Sequence, residues 1–285
     1  MGSIKRVEEE SEKIYRVLYN ELSKANNIAI LSCGNSKGLA QHLFTILKIA
    51  KTNMSVFFLD ADYAYNILLP YIGEEIDVAI LFTDTKSSKC LFRIYQSLLL
   101  SGIKTIALVH RILSEEERNI IKRYDEYITV VEIDRDIYRI SILHANLRLG
   151  LALSKGSSAR IERIARELEV ASIVEELSKR YYREINELER CRTILYTKSL
   201  QSVGEELSEM GFNSIELPLM KNIDTIQKPV LMIYTTVEEH IVNELLMEFM
   251  RKGISKEDIL SIRINTDPFT APIYGHILLL LYSYK

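Results

Sequence analysis

The sequence predicts an α/β protein made of two doubly wound units, each a parallel sheet flanked by helices in a three-layer α/β/α arrangement. Three observations carry that prediction. Short apolar runs rich in β-branched residues alternate with amphipathic stretches at helical spacing. The runs are apolar on both faces, as parallel strands covered by helices on each side must be. The alternation stops over residues 136–189 and then resumes on the same plan.

Residues from about 5 to 25 bring Val7, Ile14, Val17, Leu18 and Leu22 near one face, which is a helical period. "NIAILS", "SVFFL", "DVAILFT", "KTIALVH" and "YITVVEI" then read as five strands. The helical segments between them start at Lys37, Tyr63, Ser88 and Ser114, each long enough for a crossover. Residues 136–189 carry no strand signal and read as two helices joined at "SKGSS". In the second half "RTILYT", "NSIELPL", "PVLMIYTT" and "ILSIRI" read as four strands, with helices over residues 201–210 and 238–251. The boundary is expected near Gly156, dividing the chain into residues 1–155 and 156–285. The closing "PIYGHILLLLYSY" is apolar all round, which predicts a buried helix available for a subunit contact.

With 285 residues, 47% hydrophobic and 26% charged, the chain is long enough for two cores of ordinary size. A net charge of −3 supplies no basic excess for a nucleic-acid partner. The apolar run at residues 277–281 is far short of the ~20 residues that a spanning helix needs, so no membrane insertion is expected. The start, "MGSIKRVEEESEKIYRVL", is charged throughout and lacks the apolar centre of a signal peptide. Cys33, Cys90 and Cys191 have no metal-ligand spacing and cannot all pair, which suits a reducing, cytoplasmic setting. No metal and no cofactor is expected.

The candidate site begins where the first strand stops. Open parallel sheets bind ligands outside the carboxyl ends of their strands, where the order of connection reverses. There "NIAILS" gives way to Cys33-Gly34-Asn35-Ser36 and a helix follows at once. Gly34 permits a tight turn and close approach of a ligand to the backbone. Asn35 and Ser36 offer polar side chains beside the positive end of a helix dipole, although capping alone would also explain them. After "DVAILF" comes a second turn with Thr83, Thr85, Ser87 and Ser88 crowding the next helix start. One hydroxyl is enough for a cap. Four suit a phosphate, whose oxygens each accept several hydrogen bonds.

These turns resemble the sugar isomerase (SIS) domain. That family has a Gly-Thr-Ser or Gly-Ser-Ser turn after its first strand, matched by Gly34-Asn35-Ser36. Its Ser-x-Ser-Gly-x-Thr signature is matched degenerately by Thr83-Asp84-Thr85-Lys86-Ser87-Ser88, and "SGIKTIALVH" is similar to its Gly-x-Lys-Thr-Ile-Ala-Ile strand. Two such halves resemble the double-SIS proteins: phosphoglucose/phosphomannose isomerases, the isomerase half of glucosamine-6-phosphate synthase, and sugar-phosphate deaminases. The segment "DPFTAPIYGHILLLLYSY" is similar to the end of many of them. The resemblance implies a sugar phosphate as ligand and a homodimer as assembly. It also implies that Thr83, Thr85 and Ser88 hold phosphate, with Ser87 helping through its amide, while Gly34, Asn35 and Ser36 line the sugar side. Lys86 stands where the signature has glycine, and is expected to add a direct charge to the phosphate.

Aldose–ketose isomerisation needs a base between adjacent carbons and an acid–base group for ring opening. The family's Glu and His segments have no counterpart in the second half of this chain. Glu238, Glu239 and His240 are the only carboxylate–His cluster at a predicted strand end, and so the candidate catalytic residues. An acidic helix start with a solvated histidine is the plain alternative. Two functions are therefore expected: a phosphosugar isomerase, or a phosphosugar-binding sensor without catalysis.

Overall fold

The structure is a computed structural model. It describes all residues except 1, 51–52, 73–74, 84–87, 111–112, 124–125, 155–162, 165–166, 218–225 and 284–285. The chain divides into two compact units, Met1–Leu168 and Glu169–Lys285. The expected boundary residue, Gly156, lies outside the described residues.

The first unit opens with helix α1 (Gly2–Leu22), then β1 (Asn27–Ser32), α2 (Lys37–Ala50) and β2 (Ser55–Asp60). A short helical stretch over residues 61–72 contains a π-turn at Ala64–Leu68. Then come β3 (Val78–Phe82), α3 (Ser88–Leu100), β4 (Lys104–Val109), α4 (Glu115–Lys122), β5 (Ile128–Glu132) and α5 (Tyr138–Ser154). All strand pairs are parallel, in the order β2-β1-β3-β4-β5. Ala29 and Leu31 of β1 pack into one cluster with Ala79, Leu81, Ile94 and Ala107, while Ile28 and Ile30 are buried on the opposite face. Alternate residues of a strand point to opposite faces, so an all-apolar run is what a sheet covered on both sides requires.

Helix α5 is buried on almost every side and packs against α1 and α2. On this helix His144 contacts Ser11 Oγ at 2.8 Å and the Leu168 carbonyl at 3.0 Å, whereas the Ser141 hydroxyl and Asn146 Oδ1 have no hydrogen-bond partner among the described residues. Burial holds the His144 pKa below the ordinary histidine value of 6.5.

The second unit holds α6 (Val170–Arg180), α7 (Tyr182–Glu187), β6 (Thr193–Thr197), α8 (Gln201–Glu209), β7 (Ser214–Leu217), β8 (Val230–Thr235), α9 (Glu239–Arg251), β9 (Ile259–Ile264) and α10 (Ala271–Ser283). Its four strands are parallel in the order β7-β6-β8-β9. The single helix expected before β6 is instead interrupted at Tyr181, whose φ of −111° and ψ of 21° are not helical. The buried Tyr181 ring turns its hydroxyl to the Arg263 carbonyl, a long-range bond that helical periodicity cannot reveal. Helix α10 packs against α6, α7 and α8, so its apolar surface is largely covered by its own unit. No helix among the described residues is long and apolar enough to cross a membrane.

Candidate functional site

The first unit reverses its strand order between β1 and β3, and open parallel sheets take ligands outside the carboxyl ends of strands at such a point. Gly34, in the turn after β1, is exposed and has a φ of 62°. An L side chain adopts that conformation only at a cost of roughly 1–2 kcal/mol, which is why glycine belongs there. Ser36 is buried, with its hydroxyl 2.8 Å from the Cys33 carbonyl and 3.0 Å from the Phe82 carbonyl. The Cys33 N–H also donates to the Phe82 carbonyl, at 2.9 Å. The turn after β1 is thereby fastened to the end of β3.

The first turn of α5 completes the fastening. Tyr138 places its hydroxyl 3.0 Å from both the Thr83 and Leu108 carbonyls, at the ends of β3 and β4. Its neighbour Arg139, also buried, donates from Nη2 to the Asn35 carbonyl at 2.8 Å. Thr83 is buried and directs its own hydroxyl to the Leu108 carbonyl at 3.3 Å. His110 follows β4, and its ring meets that of Tyr138 edge-on with centroids 5.2 Å apart. Two adjacent residues of one helix thus fix the ends of β1, β3 and β4.

The helix start beside the Gly34 turn is basic. The first turn of α2 contains no acidic residue and carries the exposed Lys37. Lysine there opposes the helix dipole, whereas an anion would be attracted by both.

Of the residues singled out in the sequence, Gly34, Asn35, Ser36 and Thr83 come together at this edge. The hydroxyls of Ser36 and Thr83 point to backbone carbonyls, so both residues shape the edge. Thr85, Lys86 and Ser87 lie outside the described residues, as does the side chain of Ser88, whose backbone opens α3. Tyr138, Arg139 and His110 escaped the sequence reading. Their partners lie far along the chain, as with the 104 residues between Asn35 and Arg139, and no local pattern marks them.

The second unit reverses between β6 and β8, and its edge is built differently. Glu238, half-buried after β8, accepts from the Ser199 N–H at 3.0 Å, from the Thr235 hydroxyl at 2.7 Å and from the Ser199 hydroxyl. Glu239 pairs with Arg263 at 3.0 Å, and His240 is exposed on the first turn of α9. Thr236 donates to Asn265 Oδ1 at 3.0 Å. Glu238 and Glu239 are therefore both engaged within the unit.

Two further clusters have the outward form of chemistry. His276 joins Glu206 through Nδ1 and Ser202 Oγ through Nε2, the latter at 3.0 Å, which has the connectivity of a hydrolytic triad. Ser202 and His276 are buried and both imidazole nitrogens of His276 are already bonded within the unit, so the network fastens α10 to α8. Burial pushes the free Cys191 thiol up to about 11, which removes it as a nucleophile at neutral pH. Cys33 is disulfide-bonded, and the side chain of Cys90 lies outside the described residues. No metal-binding group of histidine, cysteine or carboxylate side chains occurs among the described residues.

No protein-family model matches the chain, and no curated protein sequence matches it. Solved structures do. The C-terminal domain of glucosamine-fructose-6-phosphate aminotransferase from Francisella tularensis is 12% identical and superposes with a TM-score of 0.63, over 99% of this chain and 94% of that one. Glucosamine-6-phosphate deaminase from Thermotoga maritima is 15% identical with a TM-score of 0.61, over 100% and 94% of the two chains. A protein assigned as a phosphosugar isomerase from Clostridium difficile 630 is 13% identical with a TM-score of 0.65, over 96% and 88%. The chain has the double-SIS fold of these proteins across nearly its whole length.

Proposed function

Taking the double-SIS fold as premise, we propose that this protein binds a sugar phosphate at the carboxyl edge of the first unit's sheet and isomerises it between aldose and ketose. The observation that carries the reading is the turn at Gly34. It stands at the switch point, it is exposed, and Ser36 and Arg139 hold its backbone in one shape. A preformed glycine turn beneath a helix start of positive character is suited to an anion. On this reading Thr83, Thr85, Ser87 and Ser88 belong to the phosphate loop, with Lys86 as its charge. Gly34, Asn35 and Ser36 flank the sugar. Glu238, Glu239 and His240 are the candidate acid–base residues.

One observation favours a second reading, a phosphosugar-binding sensor without catalysis. A catalytic base needs an available lone pair near the proton it removes. Glu238 already accepts from Ser199 and Thr235, and Glu239 is paired with Arg263. Incubation with a panel of hexose and hexosamine 6-phosphates, followed by thermal shift and product analysis, separates the two. A shift with product supports the isomerase; a shift without product supports the sensor. Neither shift nor product with any compound rejects both.

A homodimer belongs to the same proposal; the disulfide at Cys33 speaks against the reducing, cytoplasmic setting that the cysteine pattern suggested. Phe57 on the edge strand β2, with Tyr63, Ile67 and Tyr71 beyond it, leaves an exposed apolar surface of the kind that a second copy would cover. Sedimentation at micromolar concentration is expected to give a dimer; a single species of 32.9 kDa contradicts it.

A further inference from the structure

The geometry points to His110 as a ligand-contacting residue that hydrogen-bonds hydroxyl groups of the sugar, while the phosphate is held elsewhere on the edge. The inference rests on the sugar-phosphate reading above and adds a residue to that site.

His110 is 5% exposed, and neither Nδ1 nor Nε2 has a hydrogen-bond partner among the described residues. Buried polar side chains are nearly always paired, so an imidazole left with both nitrogens unsatisfied requires a reason. The other buried histidines show what the fold ordinarily does. His144 is bonded through both nitrogens, His276 likewise, and His42 lies 3.3 Å from the Asn146 amide. Among the described buried histidines, His110 at the carboxyl edge of the first sheet is the one whose ring nitrogens both lack a hydrogen bond.

Its position suits a ligand. β1 and β4 are the two neighbours of β3. A ligand centred over the end of β3 therefore meets the Gly34 turn on one side and the end of β4 on the other, each about 5 Å away. His110 stands directly after β4. Tyr138, against which its ring packs, is the residue that fastens the ends of β3 and β4, so the imidazole is held by the same structure that forms the edge.

The chemistry selects the sugar. A neutral imidazole has one donor nitrogen and one acceptor nitrogen. A fully ionised phosphate only accepts, and would leave the acceptor nitrogen unpaired. Sugar hydroxyls both donate and accept, so two neighbouring hydroxyls satisfy both ring nitrogens.

The test compares the whole wild-type chain with His110→Phe and His110→Gln. It measures the melting temperature without ligand and the affinities for inorganic phosphate and for the hexose 6-phosphate that shifts the wild type most. Phenylalanine keeps the ring and its packing on Tyr138 but removes both nitrogens. The unliganded His110→Phe protein is expected to melt higher by roughly 2–4 °C, since an unsatisfied buried group is gone. Its affinity for the hexose phosphate is expected to fall roughly 10-fold or more, with inorganic phosphate bound as before. His110→Gln restores a donor and an acceptor and is expected to recover part of the loss. Unchanged hexose phosphate affinity in His110→Phe overturns the inference. So does a parallel loss of phosphate affinity, or a lower melting temperature, either of which makes the ring structural or phosphate-binding. If the wild type itself binds neither probe, the sugar-phosphate reading fails first and the role of His110 with it; that result is distinct from a defect confined to the variant.

Discussion

The two units bring their central strands to the same topological place and finish them in opposite ways. In the first, β1 ends in a glycine turn, and the groups around it donate to backbone carbonyls: Ser36 to Cys33 and Phe82, Arg139 to Asn35, Tyr138 to Thr83 and Leu108. In the second, the Ser199 amide and the hydroxyls of Ser199 and Thr235 converge on the Glu238 carboxylate. Amides and hydroxyls gathered after two adjacent strands are what a phosphate takes. The second unit supplies an anion from its own chain. At that place the first unit has Gly34 at a positive φ and the exposed Lys37 at the start of α2.

The largest expected effect is at Arg139. Replacing it with alanine removes a charge-assisted bond to the Asn35 carbonyl, costing about 1.5–3 kcal/mol by chemical denaturation. Ligand affinity should fall as well, because the turn loses its anchor. Glu238→Ala is the counterpart in the second unit and leaves three donors without their acceptor. A loss of about 1–3 kcal/mol is expected, with sugar-phosphate affinity unchanged in a calorimetric titration if the second edge binds no ligand. If Glu238→Ala instead abolishes turnover in a protein that shows turnover, the carboxylate is catalytic and the contrast between the two edges is one of chemistry.

Gly34→Ala should cost roughly 1–2 kcal/mol through its positive φ, and more in affinity than in stability if the ligand lies against the turn. The smallest effect is one of pH. His144 has a folded pKa depressed by burial, so the unfolded chain binds the proton more readily. Its contribution is fully present above the ordinary value of 6.5 and is lost as pH falls from there through the folded pKa. Melting curves across that range should show the first unit weakening in acid, and His144→Gln should flatten the dependence.

The fold was legible because each strand is an apolar, β-branched run bounded by polar turns, and because the alternation of strand and helix lapses once and restarts. The nine strands among the described residues follow the pattern read from the residues. The turn after β1 was legible, since Gly34-Asn35-Ser36 announces it by its own composition; the turn expected from the hydroxyls after β3 lies outside the described residues. What the hydroxyls do is set by tertiary partners: Ser36 by Phe82 across 46 residues, Thr83 by Leu108 across 25. The break at Tyr181 and the roles of Tyr138, Arg139 and His110 depend likewise on contacts that periodicity does not encode. His110 is the sharpest instance, since a histidine after a strand is unremarkable until its nitrogens are found unpaired in the interior.

Hydrogen–deuterium exchange of the full chain, with and without a hexose 6-phosphate at saturating concentration, tests the central claim most directly. The prediction is slower exchange in peptides covering residues 33–40 and 105–110, with added protection over residues 235–240 only if Glu238, Glu239 or His240 acts on the bound sugar. Protection confined to the second unit, or no protection over residues 33–40 and 105–110, would contradict it.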